Sequence, residues 1–150
     1  MFKLLMSMIF VMAPFHVVSS LLKTSVFSSI GNLSDTVDLE TAKFKKSLFI
    51  AHDCVSCHQL LRQLQKKCSA VDVTTFAVGN KKNLNSKLRI LKKLKSKVYT
   101  GSTTQAYADI GIDLMPYYIS SKGRKHESNI LSVMLQDSVC RLKAKKERKD

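Results

Sequence analysis

Ser47-Leu48-Phe49-Ile50-Ala51-His52-Asp53-Cys54-Val55-Ser56-Cys57-His58 is a short apolar run that stops at Cys54 and hands over to a leucine-rich pattern. Ser47 to His52 has the length and continuous apolarity of a strand buried on both faces. From Cys57 onward the period changes. At about 100° per residue, Cys57, Leu60, Leu61, Leu64 and Cys68 share one face, while Arg62, Gln63, Lys66 and Lys67 fall elsewhere. A strand therefore delivers Cys54 to a helix N-terminus. Unpaired backbone N–H groups and the helix dipole favour a thiolate there. Cys57, one turn further on, is placed to attack a mixed disulfide formed at Cys54. His52 or His58 would support the thiolate, and Asp53 would oppose it. The same letters admit a second chemistry, because Cys54-Val55-Ser56-Cys57-His58 also matches the C-x-x-C-H signature of covalent haem attachment.

Downstream, the β-branched stretch from Ala70 to Gly79 predicts a second strand, closed by Gly79-Asn80. Leu84, Leu88, Leu91, Leu94 and Val98 recur at helical spacing and predict a second amphipathic helix with a basic outside. This strand-helix-strand-helix order favours parallel strands joined by right-handed crossovers. Tyr99 to Thr104 reads as a loop and Gln105 to Ile112 as a helical turn. Met115-Pro116-Tyr117-Tyr118-Ile119-Ser120 predicts a third strand with its proline at the start, where a strand tolerates one. Lys122-Gly123 then turns the chain into a short antiparallel edge at Arg124 to His126. Ser128 can cap a last helix in which Leu131, Met134, Leu135, Ser138, Val139 and Leu142 share a face. The expected class is α/β, with a central mixed sheet of about four strands and flanking helices, spanning residues 44–142. Residues 21–43 read as a linker or N-terminal extension, and residues 143–150 as a basic tail.

Lys3, an apolar stretch from Leu4 to Val18 and then Ser19 and Ser20 describe a secretory signal peptide over residues 1–20, with cleavage after Ser20 or as late as Ser28. Pro14, His16 and a length below the roughly 20 apolar residues of a membrane span argue against a permanent anchor, which is what an uncleaved leader would be. The expected location is periplasmic or secreted, where cysteines form disulfides or exchange them. Net charge is +14, and +13 without Lys3. Between residues 81 and 97 there are eight lysines or arginines and no acid. Export argues against nucleic acid as the partner of that field. It is either a solvated face or an attraction to an anionic membrane surface or an acidic partner protein.

Residues 44–142 resemble the thioredoxin superfamily: an apolar strand into C-x-x-C, an amphipathic helix, a strand, a helix, then Tyr107-Ala108-Asp109-Ile110-Gly111-Ile112-Asp113-Leu114-Met115-Pro116-Tyr117-Tyr118-Ile119. That last stretch is similar to the family's approach to its cis-proline, which lies opposite the dithiol and guides substrate backbone. The resemblance implies a thiol-disulfide oxidoreductase acting on cysteine-containing exported proteins. Cys54 would be the nucleophile, Cys57 the resolving thiol, and Met115 and Pro116 the substrate contacts, without cofactor or metal. Val55-Ser56 between the cysteines, the lack of a tryptophan before Cys54, Met115 in place of Thr or Val, and 62 residues from Cys54 to Pro116 depart from the family's common pattern. The leucine-rich helix and the Tyr107-to-Ile112 approach are also similar, more loosely, to the thioredoxin-like pilin-assembly proteins of type-F conjugation systems.

Two other readings stand beside it. A c-type cytochrome would bind haem through Cys54 and Cys57, with His58 as proximal and Met115 as distal ligand. Against this, the motif runs on as helix and strand rather than into a Gly- and Pro-rich loop, and Gly79 is the first glycine after it. A non-catalytic assembly module would keep Cys54–Cys57 as a structural disulfide. Cys68 and Cys140 form a candidate structural disulfide, since the fold's first and last helices cover one side of the sheet. A helical wheel opposes the pairing, placing Cys140 about 180° from the Leu131 and Leu135 face.

Overall fold

The computed structural model describes residues 26–144. The leader expected at residues 1–20 and residues 145–150 of the basic tail lie outside them. The elements are β1 (Val26–Ser29), β2 (Asn32–Asp38), β3 (Ser47–Ala51), α1 (Val55–Lys67), β4 (Cys68–Val71), β5 (Thr74–Val78), α2 (Lys81–Lys93), β6 (Lys97–Gly101), α3 (Gln105–Asp109), β7 (Tyr117–Ile119), β8 (Lys125–His126), α4 (Ile130–Gln136) and β9 (Cys140–Leu142).

The architecture is α/β, with a central mixed sheet and flanking helices. Its order is β2-β1-β6-β5-β3-β7-β8. β3, β5 and β6 run parallel, and β7, β8 and the β1–β2 hairpin complete the sheet with antiparallel pairings. The period of two along β3 sorts its side chains. Leu48 and Ile50 pack with α1, α2 and α4, whereas Phe49 and Ala51 face a second layer with Phe27, Phe76, Tyr99 and Tyr107. In that layer Phe49 stacks on Phe76 at 5.1 Å and Phe76 on Tyr99 at 5.5 Å. Every residue of β3 is buried, as its unbroken apolar run predicts.

The sheet has seven strands rather than about four because β1, β2 and β6 join it, and one expected strand also divides between two sheets. Residues 26–38, read above as part of an extension, form the hairpin that adds β1 and β2 through β6. β6 falls where a helix end and a loop are expected. Lys95 takes φ 57° and ends α2, with the Ser96 N–H donating to the Leu91 carbonyl at 3.1 Å. This is the role glycine usually fills at a helix C-terminus, so the lysine hides it. Val98 then packs towards the helices and Tyr99 towards the aromatic layer, the alternation of a strand. Lastly, the stretch expected as one strand from Ala70 divides: β4 pairs antiparallel with β9 in a separate two-stranded sheet, and β5 enters the main one. Among the described residues no helix is long and apolar enough to cross a membrane.

Candidate functional site

The site lies at the carboxyl end of β3, a parallel strand between β5 and β7, where α/β folds expose their loops. Cys54 is the N-cap of α1, with φ −81° and ψ 103°, and its Sγ accepts the Cys57 N–H at 3.1 Å. A thiolate at this atom has that donor and the helix terminus already in place. Cys54 and Cys57 are joined in a disulfide with Cα atoms 5.2 Å apart. Their exposures differ: Cys57 is completely buried, and Cys54 is half-buried, reaching both faces of the core. An incoming sulfur therefore has access to Cys54 and none to Cys57.

The Met115–Pro116 peptide bond is cis. It brings the Met115 carbonyl oxygen to 3.4 Å from Cys54 Sγ. The Ser56 hydroxyl donates to the same carbonyl at 3.3 Å, tying the first turn of α1 to the proline loop. Ser56 lies inside the motif, yet its letters carry no sign of that bond, because the acceptor is 59 residues away. Met115 and Pro116, both half-buried, line a groove of about 590 Å³ between α1 and the start of α4. Leu114, which lines the groove, is 62% exposed, and Val55, next to Cys54, is 72% exposed. Cys54, Cys57, Met115 and Pro116 are thus brought together, and Cys68 and Cys140 are not part of the group.

Beneath the other side of the loop, Lys87 donates from Nζ to the His52 carbonyl at 2.7 Å. It is a buried lysine, whose pKa burial lowers while Asp53 pulls it upward. It counts among the basic residues of α2 in the sequence, but it sits inside. Its spacing from Leu84 and Leu91, three before and four after, is the signal that places it on the apolar face. His58 is held below the ordinary imidazole value, by burial first and then by the Arg62 and Lys87 charges. Arg62 Nε donates to His58 Nε2 at 2.9 Å, which requires an unprotonated nitrogen. His58 is therefore a neutral acceptor rather than the cationic support for a thiolate considered above. Gly79, with φ +129°, passes so close to His52 that a Cβ there would collide with its Nδ1.

Cys68 and Cys140 form a second disulfide, with Cα atoms 5.4 Å apart. The helical-wheel objection fails because α4 ends at Gln136, and Cys140 lies on β9 beside β4 instead of on a helix. Engagement of Cys68 there also removes it from any zinc set with Cys54 and Cys57. Haem attachment finds Cys54 and Cys57 joined to each other, His58 engaged by Arg62, and an α/β sheet behind them in place of a helical shell.

Among solved structures the chain is similar to the solution structure of an uncharacterized thioredoxin-like protein from Porphyromonas gingivalis, at 14% sequence identity and a TM-score of 0.45, over 75% of this chain and 86% of that one. No protein-family model matches the chain. No curated protein matches it.

Proposed function

We propose that the protein is an exported thiol-disulfide oxidoreductase acting on cysteines of other exported proteins, with Cys54 as the exchanging thiol. The observation that carries this reading is the pairing of an accessible sulfur at a helix N-cap with a buried one a single turn away. In the reducing direction the Cys54 thiolate attacks one sulfur of a substrate disulfide. The Cys54–substrate bond forms, the substrate S–S bond breaks, and the departing thiolate takes up a proton. Cys57, once deprotonated, then attacks Cys54 Sγ and expels the second substrate thiolate. The substrate gains two electrons and the Cys54–Cys57 pair loses them. The reverse sequence oxidises a substrate dithiol, and the partner's potential sets the direction.

Met115 and Pro116 are read as the edge that holds substrate backbone beside Cys54, and the exposed Val55 and Leu114 as apolar contacts for it. Export is supported by the leader-like residues 1–20 and by a second disulfide, which persists in an oxidising compartment. A looser likeness to pilin-assembly proteins would make components of an envelope apparatus the substrates.

Trapping tests the mechanism. A Cys57→Ala variant cannot resolve the mixed disulfide, so it should accumulate adducts through Cys54 that a further Cys54→Ala change removes. Non-reducing electrophoresis and mass spectrometry read the result, and the absence of Cys54 adducts under oxidising conditions would overturn the proposal.

A further inference from the structure

Helices α1 and α2 lie side by side on one face of the sheet, and a groove of about 340 Å³ runs between them. Its walls are basic from both sides. Arg62 and Lys66 come from α1, Arg89 and Lys93 from α2, all four exposed, and no carboxylate lines it. The ion pairs Lys46–Asp72 and Lys97–Asp35 lie elsewhere. Each helix thus carries two cations four residues apart, an arrangement that destabilises an isolated helix. The two pairs then face each other across one groove. No carboxylate among the lining residues offsets that repulsion, so an anionic occupant would stabilise the folded chain.

The groove is continuous with the redox centre. His58 and Ser86 line it, and the same two residues line the neighbouring hollow that holds Cys54 and Lys87. Arg62 and Lys66 stand about 12 and 18 Å along α1 from Cys54, a span of roughly four to six residues of extended chain. We propose that this groove receives an acidic segment of the substrate polypeptide, carrying Asp or Glu about four to six residues from the cysteine that exchanges at Cys54. The inference rests on the dithiol reading for its second half and on charge complementarity for its first. Guanidinium groups take carboxylates in paired hydrogen bonds, and a groove of one sign concentrates and orients the opposite one.

Fluorescence anisotropy with the purified protein tests it. The probes are two labelled peptides in which serine replaces the exchanging cysteine, one with Asp and Glu at the stated distance and one with Asn and Gln there. The acidic peptide should bind at least about tenfold more tightly, and the advantage should fall as salt is raised. Arg62→Glu with Arg89→Glu should abolish it, and Arg62→Gln with Arg89→Gln should reduce it. Lys122→Glu with Lys125→Glu, at the far edge of the sheet, should leave it unchanged. Equal binding of the two peptides, or acidic binding indifferent to the Arg62 and Arg89 changes, would overturn the proposal. So would vesicles of phosphatidylglycerol and phosphatidylcholine that depend on those arginines when the peptide does not. Reaction with neutral hydroxyethyl disulfide reads the dithiol alone and separates any change of exchange chemistry in the arginine variants from a loss of peptide binding. A wild-type protein inert to that disulfide removes the dithiol reading, while anisotropy still decides the groove.

Discussion

Lys87 puts a positive charge under the loop that precedes α1, bonded to the carbonyl of a residue two positions before Cys54. The charged groups facing that region are Lys87 from α2, Asp53 from the loop and Arg62 behind His58 on α1, with His58 itself neutral. Removing Lys87 leaves Asp53 less opposed, and both changes disfavour an anion at Cys54. A Lys87→Met variant of the reduced protein should therefore raise the Cys54 thiolate pKa. Ultraviolet thiolate absorbance through a pH titration measures this, and a Lys87→Arg variant that fits should restore the lower value. Stability should fall by only about 1 kcal/mol, the worth of one hydrogen bond. Cys54 and Cys57 are legible in the sequence because their spacing states their chemistry. Lys87 and Ser56 are much less so, since each acts on a backbone carbonyl that only the folded chain brings near.

Asp137, at the end of α4, shows how an element boundary is held. Its carboxylate accepts from the Tyr118 hydroxyl at 2.6 Å, from the Ser121 N–H at 2.7 Å and from the Ser121 hydroxyl. Burial pushes its pKa up, but the bonds from Ser121 and Tyr118 and the charge of Lys46 outweigh that and hold it below the ordinary value. A depressed folded pKa contributes stability that is complete above the unfolded value, near 3.9, and lost as pH falls through the lower folded one. Asp137→Asn should therefore lower the urea midpoint at neutral pH, and its difference from wild type should shrink below about pH 4. The nearby Cys68–Cys140 bridge closes a separation of 72 residues. Replacing both cysteines by alanine should cost about 2–4 kcal/mol in urea denaturation. These boundaries are the least legible part of the chain. α1 announces itself through four apolar positions on one face, whereas the stop at Lys95 uses a residue of ordinary helical preference. α4 likewise ends at Gln136 although apolar spacing continues to Leu142.

For the whole molecule, the sheet depends on residues that precede the stretch 44–142. Phe27 is completely buried, stacks on Tyr107 at 5.7 Å and meets Phe76 edge-on at 5.8 Å. Phe27→Ala should cost about 3–5 kcal/mol, seen as a lower urea midpoint with the dithiol chemistry intact wherever the variant remains folded. If the leader is removed on export, the mature chain should begin ahead of Val26, because cleavage after Ser28 would take Phe27 from the core. The α/β class, the helix after the motif and the parallel core are legible because periodicity reports burial directly. The hairpin is not, because β2 is polar and β1 is four residues long, so its place depends on pairing with a strand some 70 positions away.

The two disulfides also bear on biogenesis. Four cysteines can pair in three ways, and an unfolded chain emerging into an oxidant samples them by contact probability. Cys54 and Cys57 are separated by 3 positions and Cys68 and Cys140 by 72, so the short loop closes at much lower entropic cost. Once it has closed, Cys68 has a single remaining partner, and that partner arrives with the last strand. The Cys54–Cys57 pair would then serve the folding of its own chain, by withdrawing from competition the two thiols most apt to mispair.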